Sequence, residues 1–396
     1  MGTVATSPAK AGERRSAGGA LVPLPVLVAV TMVMWASPPT QAQTPLRTFE
    51  TQGIPAAQKE DARAEADLQA GIALTRQGSF REAIPRFLAA RGRVANEFVL
   101  DFNLALCYVA DGQSGQAIPI LGALRSSGRA TADVYNLLAQ AYLGNAQPQE
   151  AFKAFQQAVA LNPKSERLYL LVADACLDHH YYSLGVDVLT VGLKHLHSSS
   201  RLYYQRGVFH SFMDRPDLAK GDLESASQLA PGSSISYLAA AQKATLDGNI
   251  PEATLAAREG VQKDPKNYIL LTLLGQALIR LGAGPGEPEF VEAQTALERA
   301  VAERPNFAAS RLALGQLYRM ANRLEDATAH LDAARQLAPE NTAVYSQLAM
   351  AYQKQGKLQE AQKMLAILGR LNQEQAAKYK ENPPDQKASY LGSPVK

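Results

Sequence analysis

Four of the six histidines in this chain, His179, His180, His195 and His197, fall in one short stretch, and clustered imidazoles are the residue type that holds zinc. A zinc site needs at least three protein ligands around a single ion. The segment between the two pairs has the pattern of a helix, so at about 1.5 Å of rise per residue the pairs stand on the order of 20 Å apart. They read as solvated residues of a turn and of a helix end, where an imidazole suits the negative end of the helix dipole. Cys107 and Cys176 could pair in an oxidising compartment. A disulfide needs Cα atoms within about 7 Å, and the periodicity below places these two units apart, so both are read as small buried hydrophobes. The sequence offers no phosphate-cradling glycine loop, nucleophile elbow or convincing carboxylate pair. These residues predict no metal, no cofactor and no catalytic centre, and the chain is read as a non-enzyme.

The elements that carry these residues repeat. Tyr135, Tyr169, Tyr203 and Tyr237 share one 34-residue step, and so do Gly71, Ala105, Ala139, Ala173, Gly207, Ala241 and Gly275. Ala83, Ala117, Ala151, Gly185, Ala219 and Ala253 keep the step in a third register, and Pro163, Pro231 and Pro265 in a fourth, with His197 in the missing place. Within one unit, residues 132–163, apolar positions recur at three and four, which predicts two amphipathic helices. Ala139 and Ala151 let the two axes approach, Tyr135, Leu138, Tyr142, Phe155 and Ala158 fill the space around the crossing, and Asn162-Pro163 stops the second helix. One such hairpin leaves apolar faces open, so neighbours must stack.

This pattern resembles the tetratricopeptide repeat, with a large residue at position 4, a small one at 8, Tyr at 11, Ala at 20 and 27, and Pro at 32. Repeats counted this way begin at Ala64, Phe98, Ala132, Glu166, Ser200, Ser234, Tyr268, Ala308 and Thr342. The resemblance implies an all-α fold, a right-handed α-solenoid of about nine helical hairpins. There are departures. Position 4 is never Trp, repeat 4 carries Gly185, Gly192 and His197 where Ala, Ala and Pro are usual, and repeat 7 carries about six extra residues between its helices, within the Gly- and Pro-rich stretch 282–290.

Residues outside the repeats suggest export. Lys10, Arg14 and Arg15 precede an apolar run over 20–37, and Thr40-Gln41-Ala42 has the small residues of a signal-peptidase site. Residues 1–42 are read as a signal peptide, 43–56 as a linker, 57–382 as the solenoid and 383–396 as a disordered tail. The expected location is periplasmic or secreted; the alternative is an inner-membrane anchor formed by 20–37, although Pro23 and Pro25 weaken a span. Without the leader the formal charge falls from +3 to near +1, which gives no long-range attraction for nucleic acid. A membrane is expected as partner only if the leader is retained.

The resemblance also implies a binding surface. In such arrays the first helices line the concave side, with positions 2, 5, 9, 12 and 13 directed into it. Those positions hold Asn136, Gln140 and Leu143, then Arg167 and Asp174, then Arg201, Tyr204, Val208 and Phe212, and at position 9 of later repeats Gln242, Gln276 and Gln316. Amides among apolar patches suit an extended polypeptide, because Gln and Asn pair with both backbone donor and acceptor. Tyr204 and Phe212 are expected to expose apolar area, whereas Tyr203 is expected in the core. No repeat has the Lys and Asn of the carboxylate-clamp subtype. The expected function is a protein-binding scaffold or adaptor of the cell envelope, with a protein or peptide partner. The alternative is an accessory subunit of an exported-polysaccharide or secretion machinery.

Overall fold

The structure, a computed structural model, describes residues 62–381; the export segment, the linker and the tail read from the sequence lie outside the described residues. The described residues form eighteen α-helices and no strand. The odd-numbered helices open each hairpin: α1 Ala62–Arg76, α3 Glu97–Ala110, α5 Ala132–Gly144, α7 Glu166–Asp178, α9 Ser200–Phe212, α11 Ser234–Leu246, α13 Tyr268–Leu281, α15 Ala308–Met320 and α17 Thr342–Lys354. The even-numbered ones close it: α2 Phe80–Ala90, α4 Ser114–Ser126, α6 Pro148–Leu161, α8 Tyr182–His195, α10 Pro216–Leu229, α12 Ile250–Lys263, α14 Pro288–Glu303, α16 Leu324–Leu337 and α18 Leu358–Glu381. The described residues thus form an α-solenoid of nine stacked hairpins.

Local chemistry sets the boundaries. Asn96, Thr131, Ser199, Ser233, Asn267 and Asn341 cap odd helices by accepting backbone N–H bonds. Pro148, Pro216 and Pro288 open even helices, where a missing N–H leaves no bond unmade. Every hairpin turn holds one left-handed residue at the same place in the repeat. It is glycine at 78, 112, 248, 282 and 356, and Ala146, His180, Asp214 or Asn322 elsewhere. Tyrosine and proline at positions 4 and 32 are joined directly: the Tyr169 hydroxyl donates to the Pro163 carbonyl and that of Tyr345 to Pro339, both at 2.7 Å. In the eighth hairpin Arg311 takes the tyrosine's place and bonds the Pro305 carbonyl.

Curvature follows from which helices touch. Each odd helix packs on the next odd helix along the whole array, whereas among even helices only α6 and α8 make a comparable contact. The odd helices therefore lie on the inside of the curve. Burial agrees: α9, α11 and α15 hold no fully exposed residue, while α6 and α10 bury one face and present the other to water. The coil brings distant hairpins together. His180, in the turn of the fourth hairpin, lies 3.9 Å from Glu340, in the link between the eighth and ninth.

Candidate functional site

The inner layer is the candidate site, and the structure divides its sequence-assigned residues into two groups. Asn136, Gln140, Leu143, Tyr204, Val208 and Gln242 are buried, a correction to their reading as surface contacts. The physical reason is the tight curve. Adjacent inner helices close on one another, so positions 5 and 9 become seams of the stack in hairpins three, five and six. Asn136 donates to the Leu168 carbonyl of the next hairpin at 2.9 Å and accepts from Gln140 Nε2 at 2.7 Å. Tyr204 is 1% exposed, and burial pushes its hydroxyl pKa well up. Its neighbour Tyr203, expected in the core, is only half-buried, with the Arg206 guanidinium 5.6 Å from its ring centroid.

The other six stay accessible in part: Arg167, Asp174, Arg201, Phe212, Gln276 and Gln316. Asp174 accepts from Gln205 Nε2 of the next hairpin. Arg201 pairs with Glu166 at 3.3 Å, and Ser199 donates to the same carboxylate. Phe212 lies flat on Tyr182, with centroids 5.3 Å apart. Gln276 and Gln316 differ, for among the described residues neither side chain has a hydrogen-bond partner. Sequence reasoning passed over their neighbours Arg280, Arg319, Met350 and Lys354, all on inner helices of hairpins seven to nine. Positions 12 and 13, which hold Leu143 and Phe212 in the earlier repeats, hold Arg280, Arg319 and Lys354 in the later ones.

The remaining candidates have structural roles. His180 is the left-handed residue of its turn, with φ of 61°, and its Nδ1 is 2.8 Å from the Tyr182 hydroxyl. His195 is at the other end of α8, and among the described residues no three His, Cys, Asp or Glu are placed to hold a metal ion. Cys107 and Cys176 are free and buried on α3 and α7. Burial raises the Cys107 pKa to about 11, and its sulfur is 3.2 Å from the Thr75 hydroxyl. Among the described residues no helix is long and apolar enough to cross a membrane.

Nine stacked hairpins with a sheltered inner layer define the class: a helical-repeat solenoid. Sequence models of the tetratricopeptide repeat match residues 132–165, 289–342 and 319–381. The chain carries tetratricopeptide repeats in these segments, and such repeats form protein-interaction scaffolds. A crystal structure of the APC/C hetero-tetramer Cut9-Hcn1 is similar over 79% of this chain and 61% of that one, at 17% identity and a TM-score of 0.50. This chain therefore spans under two thirds of that relative, and the likeness concerns the fold alone. A tetratricopeptide repeat protein from Parabacteroides merdae aligns over 73% of this chain and 98% of its own, at 14% identity and a TM-score of 0.43. MamA aligns over 43% and 96%, at 19% identity and a TM-score of 0.34. No curated protein matches this sequence.

Proposed function

We propose that the solenoid is a scaffold or adaptor that holds an extended polypeptide along its inner layer, and that it acts in the periplasm or cell envelope. One observation carries the binding reading. The array uses its inner amides inside the stack, Asn136 on the next hairpin's Leu168 carbonyl and Gln140 on Asn136, yet leaves Gln276 and Gln316 on successive inner helices open to water with no protein partner among the described residues. An amide of this kind can take both a donor and an acceptor from a passing backbone. A polysaccharide groove would present open ring platforms; of the two aromatic residues assigned to the inner layer, Tyr204 is buried and Phe212 is stacked on Tyr182.

The binding reading is tested by blocking the surface. Gln276→Trp with Gln316→Trp is expected to abolish co-purification of the partner without changing the melting temperature. Partner capture that survives this pair, at unchanged yield, would count against the inner layer. Export rests on the sequence of residues 1–42. Trp35 is the only tryptophan, so protein from the exported fraction is expected to show tyrosine emission alone. A tryptophan band would instead favour retention through residues 20–37.

A further inference from the structure

Charge is sorted along the inner layer. The inner helices of the first four hairpins carry carboxylates, among them Glu65, Asp101, Asp133, Glu166 and Asp174. The inner helices of the last five, α9, α11, α13, α15 and α17, contain no Asp or Glu at all. Their outer partners take the acids instead, with Glu289, Glu292, Glu298 and Glu303 on α14 alone.

In hairpins five and six the inner cations are already matched. Arg201 meets Glu166 at 3.3 Å, Arg206 meets Asp222 at 2.7 Å, and Lys243 lies between Glu224 and Asp247 at 3.5 and 3.4 Å. In hairpins seven to nine they are not. Among the described residues Arg280 and Lys354 make no hydrogen bond or ion pair, and Arg319 bonds only the neutral Gln347 Oε1 at 2.9 Å. Burial lowers the pKa of Arg280 and of Arg319, and no carboxylate opposes it. Each of the three cations lies in the last turn of its helix, where the helix dipole offsets part of its charge. That partial charge does not replace a counter-ion. Gln276 and Gln316 stand one turn before Arg280 and Arg319, on the same helix faces.

We infer that hairpins seven to nine dock an acidic stretch of the extended polypeptide, with its carboxylates on Arg280, Arg319 and Lys354 and its backbone on Gln276 and Gln316. The inference deepens the proposed function and rests on it. Neighbouring packed helices lie about 8–10 Å apart, and an extended chain covers about 10 Å in three residues. The matching segment therefore carries an acid at every third residue. A single-stranded nucleic acid suits the surface less well, because it stacks its bases on exposed rings. Tyr268, Tyr318 and Tyr345 are buried, and Tyr352 is tied to Asp332.

The test uses the purified protein and three fluorescein-labelled twelve-residue peptides of equal apolar content. They carry Glu, Ser or Lys at every third position, and binding is read by anisotropy. The Glu peptide is expected to bind about tenfold more tightly than the Ser peptide at low salt, with the gap narrowing as salt screens it. Arg280→Gln, Arg319→Gln and Lys354→Gln together should close that gap while leaving the melting temperature and the Ser-peptide affinity unchanged. Equal binding of the Glu and Ser peptides would overturn the inference and leave the groove reading standing. Failure to bind any peptide would sink both. A gap that persists in the triple variant, or tighter binding of a labelled oligothymidylate than of the Glu peptide, would also overturn it.

Discussion

The Phe209 ring occupies the space that a side chain on Gly185 would need. A Cβ there would come within 2.3 Å of Phe209 Cε1, and Phe209 is wholly buried. Gly192 is in the same position, with Tyr169 Cγ 2.8 Å from its would-be Cβ. In the fourth hairpin two aromatic rings thus fill the places where the repeat usually has alanine. Gly185→Ala, although it restores the family's habitual residue and gains about 1 kcal/mol of helix propensity, is expected to destabilise by about 1–3 kcal/mol through overpacking. Thermal unfolding measures this; a raised melting temperature would show that the ring can move aside.

The hairpin turns give a prediction of opposite sign. Ala146 sits at φ 56°, a conformation that disfavours any residue with a Cβ by about 1–2 kcal/mol, while five other turns use glycine there. Ala146→Gly is expected to stabilise by about 0.5–1 kcal/mol once the added chain entropy of glycine is subtracted. The mirror change Gly112→Ala, at φ 76°, should destabilise. Urea midpoints of the two variants, moving in opposite directions, are the expected result.

Much of this fold was legible in the sequence because its determinants are local and periodic. The tyrosine, small-residue and proline registers mark one hairpin each, and the observed Tyr169–Pro163 bond shows why two of them travel together. The glycine register at 78, 112, 248, 282 and 356 was equally visible and marks the turns. The site was less legible. Position within a repeat says which way a side chain points but not how sharply the array bends. That bend decides whether Gln140 is a seam and Gln316 a free amide.

Tyr203 and Tyr204 test the bend directly. Tyr204→Ala is expected to lower stability by about 3–5 kcal/mol, as for any large side chain lost from a packed core, and Tyr203→Ala by clearly less. The sequence alone had suggested the reverse order. Chemical denaturation of the two variants side by side decides between them.

His210 makes stability depend on pH. It is buried, with Nε2 3.7 Å from Asp222. Burial lowers its pKa below 6.5; Asp222 opposes the shift, and Arg206 and Arg215 add to it. The unfolded chain then binds a proton more readily than the folded one between the lowered pKa and 6.5. Stability is full above pH 6.5 and falls as the pH drops through that window. Burial moves His330 and His179 in the same direction. Urea midpoints taken from about pH 7.5 down to 5.5 should therefore decline, and His210→Gln should make the decline shallower. Identical slopes for parent and variant would remove His210 from the account.

The central claim, that a polypeptide lies along the inner layer, is tested most directly by site-specific photo-crosslinking in the native host. A benzoylphenylalanine is placed singly at Gln276 or Gln316 on the inner helices, or at Glu259 or Ala302 on the exposed face of outer helices α12 and α14. The account predicts one discrete protein adduct from both inner positions and none from the outer pair. Adducts from Glu259 and Ala302, with none from Gln276 and Gln316, would contradict it.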